Sequence, residues 1–130
     1  EHVMHRLYYT DREGMNAVVH THSVFASAVA ALNIPLPAVS FLVPLGGGSE
    51  VPVAPFRQPG SEELAKIAFE TMGKANAVLL QNHGLICCAP DIGAAMNIAD
   101  ELEFVAKVYI YAKSAGEPVV LTPEQMQVIG

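Results

Sequence analysis

Two short aliphatic runs constrain this chain more than any other feature: residues 17–22, AVVHTH, and residues 75–83, ANAVLLQNH, both lead into histidine. Their β-branched and aliphatic residues, bounded by turn formers, suit buried strands and are too short to stand as helices. Alternate side chains of an extended chain face one way, so Val18, His20 and His22 point to the same side. The second run continues into GLICC beyond the turn signal Asn82-His83-Gly84, and there Cys87 and Cys88 face opposite sides.

Helical segments alternate with these strands. Ser23 is expected to cap a helix reaching about Leu32, where Asn33 and Pro35 stop it. Ser61, with Glu62 and Glu63 placed at the positive helix end, begins a second helix that Gly73 ends. Pro90 and Asp91 open the longest, which reaches about Ala115 before Gly116 and Pro118, and Thr122 with Pro123 starts a last one. Between the first two helices, SFLVPL and VPVAPF read as two short strands around the glycine tract GGGSE. Val3, Met4, Leu7 and Tyr8 recur at helical spacing, so residues 2–9 read as the end of an amphipathic helix with Glu1 and His5 on one face. The pattern as a whole is that of an α/β domain with a mixed or antiparallel sheet. GGGS at 46–49 lacks the strand-to-helix context of a phosphate-cradling loop.

Composition narrows the function. In 130 residues, 52% are hydrophobic, enough for one core with apolar surface left over, which favours oligomerisation. The net charge of −6, with scattered basic residues, argues against nucleic acid as a partner. The apolar region from Val24 to Leu45 is interrupted by Asn33, Pro35, Pro37, Ser40 and Pro44, so no bilayer-spanning run is present and a soluble protein is expected. Cysteine occurs only as the adjacent pair Cys87 and Cys88, whose side chains diverge and which are read as core packing in a reducing, cytoplasmic setting. The chain opens on Glu1 with neither the basic start nor the apolar centre of a signal peptide, and is expected to begin partway through its domain.

The histidines carry the chemistry. Two imidazoles at i and i+2 of a strand have Cβ atoms roughly 6–7 Å apart and can reach one metal ion at about 2.0–2.1 Å. Alone, His-x-His is a weak signal that more often marks a pair of hydrogen-bonded core or interface histidines. His83 closes a second buried run beside Gly84, and three histidines at the ends of two strands form the kind of triad that leaves a catalytic zinc one open position.

With these motifs in order, the chain resembles the class II aldolase/adducin family, and within it the L-fuculose-phosphate aldolase-like branch. The resemblance rests on Glu1 with EHVMH and Tyr9, then AVVHTHS, IPLPAVSF with GGG and VPVAPF, LLQNHGLI, and ELEFVAKVY in the long helix. It implies a three-layer α/β/α fold with a largely antiparallel central sheet. It further implies zinc, or another divalent metal, on His20, His22 and His83, with Glu1 as the acid/base residue. The implied activity is that of a lyase that cleaves or forms a carbon–carbon bond in a phosphorylated ketose through a metal-stabilised enediolate. Homotetramers with active sites between subunits are implied as well.

Two departures bear on the substrate. The single domain, residues 1–130, is expected to lack the N-terminal part that holds the family's phosphate-binding loops. Phe41 stands where the fuculose-phosphate enzyme would have a proton-donating tyrosine. On the same scaffold, a sugar-phosphate dehydratase of methylthioribulose-phosphate type or a pentose-phosphate 4-epimerase would keep the three histidines, whereas an adducin-head-like binding module is expected to lose them. His5 and His2 are read as lying outside the triad, Tyr109 as core or interface, and Met4, Met96 and Leu102 as core.

Overall fold

The computed structural model describes residues 14–129. Glu1, His2, Met4, His5 and the helix expected over residues 2–9 therefore lie outside the described residues. Strands β1 (Ala17–Thr21), β2 (Val53–Ala54), β3 (Ala77–Leu80) and β4 (Gly84–Ala89) form one sheet in the order β1-β4-β3-β2. The β1–β4 and β3–β4 pairs are antiparallel and the β2–β3 pair is parallel, so the sheet is mixed with mainly antiparallel pairing.

The second aliphatic run is two strands rather than one. Leu80 pairs with Gly84 across a three-residue loop, with His83 N donating to Leu80 O at 2.9 Å. Asn82 takes the left-handed conformation that such a hairpin loop requires, at φ 57°.

Every residue of β3 and β4 is buried, so the sheet must be covered on both faces. On one face Val19, Leu79, Leu85 and Cys87 pack with side chains of helices α1 (Val24–Ala31) and α3 (Ile92–Ala115), among them Val29, Leu102, Val105 and Tyr109. On the other, Val18, Val78, Leu80, Ile86 and Cys88 pack with Leu64, Ala65, Ala68 and Met72 of α2 (Glu62–Met72). The result is the expected three-layer α/β/α arrangement. Cys87 and Cys88 enter opposite cores, and Cys88 Sγ lies 3.7 Å from Met72 Sδ. Burial, with the neighbouring Cys88 thiol adding to it, pushes the Cys87 thiol up to about 12.

Local capping follows the sequence at three helices. Ser61 Oγ accepts from Leu64 N at 3.1 Å and Asp91 Oδ1 from Ala94 N at 2.8 Å. At helix α4 (Pro123–Ile129), Thr122 and Gln125 exchange side-chain-to-backbone bonds at 3.2 and 2.9 Å in a capping box.

Two expectations are corrected. SFLVPL is not a strand: Val43–Gly46 is a 3-10 turn with Pro44 in its opening positions, and the prolines at 35, 37, 44, 52 and 55 remove the N–H donors that a continuous ladder needs. What remains of the two strands is the isolated Leu36–Val51 bridge and the two-residue β2. Met96 is 46% exposed on α3, although Leu102 and Tyr109 of the same helix are buried as expected. The glycine tract serves packing. Gly47 has φ 91°, and a Cβ there would come within 2.8 Å of the backbone N of Asn76, the residue before β3.

Candidate metal centre

Register decides which histidines meet. Thr21 pairs with Leu85 and Leu80 pairs with Gly84, so the end of β1 lies against the loop that carries His83. Gly84 makes that approach feasible: a Cβ on it would stand 2.2 Å from Thr21 O and 3.2 Å from His22 Cδ2. No side chain fits there, which gives the glycine beside His83 a steric reason beyond turn formation.

His20 Nδ1 lies 2.9 Å from the carbonyl oxygen of Leu85. A carbonyl only accepts, so Nδ1 carries the proton and Nε2 keeps a lone pair. This is the backbone support that ligating histidines commonly have, since it sets both tautomer and ring direction. The Nε2 nitrogen of His20 faces His22, whose Nε2 is 3.1 Å away, within hydrogen-bond distance. Two nitrogens each about 2.0–2.1 Å from one ion at a tetrahedral angle stand roughly 3.3–3.4 Å apart, so the observed spacing is near that of two ligands on one cation.

His83 completes the group. Its ring centroid is 4.9 Å from those of both His20 and His22, which are 4.8 Å from each other. One ring nitrogen from each of the three can be chosen so that all lie within 4.8 Å of one another, a spread that side-chain rotation can close. Three neutral nitrogen donors fit a divalent cation of the zinc type and leave room for a further ligand. His20 and His83 are half-buried and His22 is exposed, so the centre is open on one side.

Sequence reasoning missed one part of the surroundings. Ser23 occupies the N-cap position of α1 but makes no cap bond; its hydroxyl is 3.0 Å from Thr21 Oγ1 instead. The amides of Phe25 and Ala26 donate to Glu103 Oε2 and Oε1 at 2.9 and 2.8 Å. Glu103 thus caps α1 from the middle of α3. The only local signal was the absence of acidic residues in the first turn of α1.

Glu1 and His5 fall outside the described residues, and Phe41 is 56% exposed. A cleft of about 410 Å³ is lined by Pro44, Gly47, Gly48, Ser49, Pro123 and Met126, a set with no titratable side chain, and none of the three histidines borders it.

The model of the class II aldolase and adducin N-terminal domain matches residues 1–110. The chain belongs to that family. Among curated members it is similar to 5-deoxy-D-ribulose 1-phosphate aldolase of Bacillus thuringiensis serovar kurstaki, 47% identical over 95% of this chain and 58% of that protein. It is similar also to L-fuculose phosphate aldolase of Escherichia coli K12, 36% identical over 96% of this chain and 59% of that protein. A solved structure of L-fuculose 1-phosphate aldolase superposes with a TM-score of 0.93 at 40% identity, covering 97% of this chain and 59% of that one. The sequence thus spans about three fifths of these class II aldolases, and its fold is theirs. Among the described residues, no helix is long and apolar enough to cross a membrane.

Proposed function

We propose that this chain carries the metal site of a divalent-metal-dependent aldolase acting on a phosphorylated ketose, with His20, His22 and His83 as ligands and zinc as the metal. The observation that carries this reading is the convergence of three imidazoles, with the His20 tautomer set by Leu85 O so that Nε2 faces the shared space. The names of the relatives, aldolases of 5-deoxy-D-ribulose 1-phosphate and L-fuculose phosphate, point to ketose 1-phosphates as the substrate class.

Cleavage of a carbon–carbon bond beside a carbonyl leaves a pair of electrons on the fragment that keeps the carbonyl. A divalent cation, when bound, supplies Lewis-acid stabilisation of that negative charge, worth several kcal/mol. This chain's own part is to hold and orient. The Leu85 carbonyl fixes the His20 ring, and Gly84 lets the His83 loop close on β1. Glu1 is assigned the proton transfer between the substrate and the negatively charged fragment that keeps the carbonyl, which takes up the proton as the aldehyde leaves, a task suited to a carboxylate next to a cation. The products are a dihydroxyacetone-phosphate-like piece and an aldehyde.

Homotetramers with the site between subunits belong to the same reading, supported by the exposed apolar side chains of Phe41, Phe104 and Tyr111. So does a cytoplasmic location, with which two free, buried cysteines agree. The test is a metal assay followed by a screen of the metal-loaded intact protein against ketose 1-phosphates. Aldehyde release supports the aldolase. Water release with an intact carbon skeleton would reassign it as a dehydratase, inversion at one carbon as an epimerase. Absence of stoichiometric metal, unchanged on replacing His83, would make it a binding module.

A further inference from the structure

The chain leaves β1 at Thr21, passes through His22 and Ser23, and starts α1 at Val24. The imidazole of His22 therefore hangs from a two-residue link between a strand and a helix. The strand end is held by its pairing with Leu85. The helix end is held from outside the segment. Ser23 makes no cap bond, and both carboxylate oxygens of Glu103 take the Phe25 and Ala26 amides, at 2.9 and 2.8 Å. These are the second and third residues of α1, the positions whose amides a cap residue normally satisfies, and the positive end of the helix faces a negative charge.

A second tie leads from the same helix to the third histidine. Ser27 Oγ lies 3.5 Å from the carbonyl oxygen of His83, at the outer limit of a hydrogen bond. The first turn of α1 is thereby joined to α3 through Glu103 and to the His83 loop through Ser27. His22 is the most exposed of the three histidines, so core packing does least to fix it.

We infer that Glu103, by holding the first turn of α1 against α3, is a positioning residue for His22 in the three-histidine metal centre. This rests on the metal reading above. It adds to that reading a residue with no direct reach to the ion, 81 positions away in sequence from the ligand it orients.

The test uses cobalt(II) as the probe, because its visible spectrum reports ligand number and geometry whether or not any substrate turns over. The intact protein, Glu103→Ala, Glu103→Gln and Ser61→Ala are titrated with cobalt(II), and their urea stabilities are measured in parallel. Ser61→Ala removes a comparable cap from α2, on the opposite face of the sheet, and so matches the loss of stability without touching α1. The expected result is a cobalt(II) affinity reduced about 10-fold or more and an altered visible spectrum in Glu103→Ala. Glu103→Gln keeps one acceptor oxygen, folds more readily, and should fall between Glu103→Ala and the unmodified protein. Ser61→Ala should bind cobalt(II) as the unmodified protein does. Unchanged affinity and spectrum in both Glu103 variants, with stability losses like that of Ser61→Ala, would overturn the inference. Failure of the unmodified protein itself to bind cobalt(II) would overturn the metal reading first, and this inference with it.

Discussion

His20 Nδ1 donates to the Leu85 carbonyl at 2.9 Å, while Nε2 of the same ring faces His22 Nε2 at 3.1 Å. One ring thus gives its proton to the sheet and turns its other nitrogen toward His22. Replacement by alanine removes both at once. His20→Ala should weaken zinc or cobalt(II) binding by about 100-fold or more, beyond the 10–100-fold that loss of an outer partner costs. Because His20 is only half-buried, the variant should keep its native circular dichroism. Calorimetric titration with metal checks the affinity, and a dissociation constant unchanged within error would remove His20 from the ligand set.

Gly84 and Thr21 set the distance between the two histidine-bearing segments. A methyl group on Gly84 would come within 2.2 Å of Thr21 O, far inside contact distance, and the obstacle is backbone rather than a flexible side chain. The strands must then part. Gly84→Ala should lose about 3 kcal/mol of stability, at the upper end of overpacking costs, and should also weaken metal binding because the His83 loop moves away from β1. Urea unfolding and metal titration of the same preparation read the two effects. A loss below about 0.5 kcal/mol would mean the backbone accommodates the methyl group.

Capping gives a cleaner comparison, because two serines at N-cap positions behave differently. Ser61 Oγ accepts from Leu64 N at 3.1 Å, whereas Ser23 makes no cap bond. Ser61→Ala is expected to cost about 1 kcal/mol. Ser23→Ala should stay within about 0.5 kcal/mol, since Glu103 already takes the amides that Ser23 would have held. Denaturation midpoints at equal slope decide it, and equal losses at the two sites would show that Ser23 contributes to the cap after all.

That comparison also marks how far a sequence can be read. Features fixed by near neighbours in the chain were legible: the alternation that puts His20 and His22 on one side, and the Ser61, Asp91 and Thr122 caps. Features fixed by distant partners were not. Glu103 meets Phe25 and Ala26 from 78 and 77 residues away, and no local pattern announces it. Met96 sits in a helix with apolar residues all round, where Ala95, Ile98, Ala99 and Leu102 face the core while Ile92, Met96 and Phe104 face out. Periodicity alone could not choose between those faces. SFLVPL looked strand-like by composition, yet prolines on either side of it and within it deny the ladder its donors. His83 belongs with His20 and His22 only because of the register that pairs Leu80 with Gly84 and Thr21 with Leu85. From sequence alone, what joined it to them was its place at the end of a second buried run beside Gly84, together with the family resemblance.

Cys87 offers a prediction that depends on packing and not on metal. Its thiol is pushed from 9.0 to about 12 by burial and by the adjacent Cys88. A thiol is the neutral form of its pair, so the folded state binds the proton more tightly than the unfolded one. The stability this contributes is fully present below about pH 9 and is lost as pH rises from there toward 12. Two outcomes are expected. At pH 8 the folded protein should not react with a thiol-specific disulfide reagent on the timescale of minutes, because both cysteines are buried and Cys87 is protonated, whereas urea should release two reactive thiols per chain. The urea midpoint should fall as pH climbs above 9, and Cys87→Ala, although less stable at pH 7 through lost packing, should show a shallower alkaline decline. Prompt labelling of the native protein at pH 8 would mean that β4 opens far more readily than its burial between two helical layers allows.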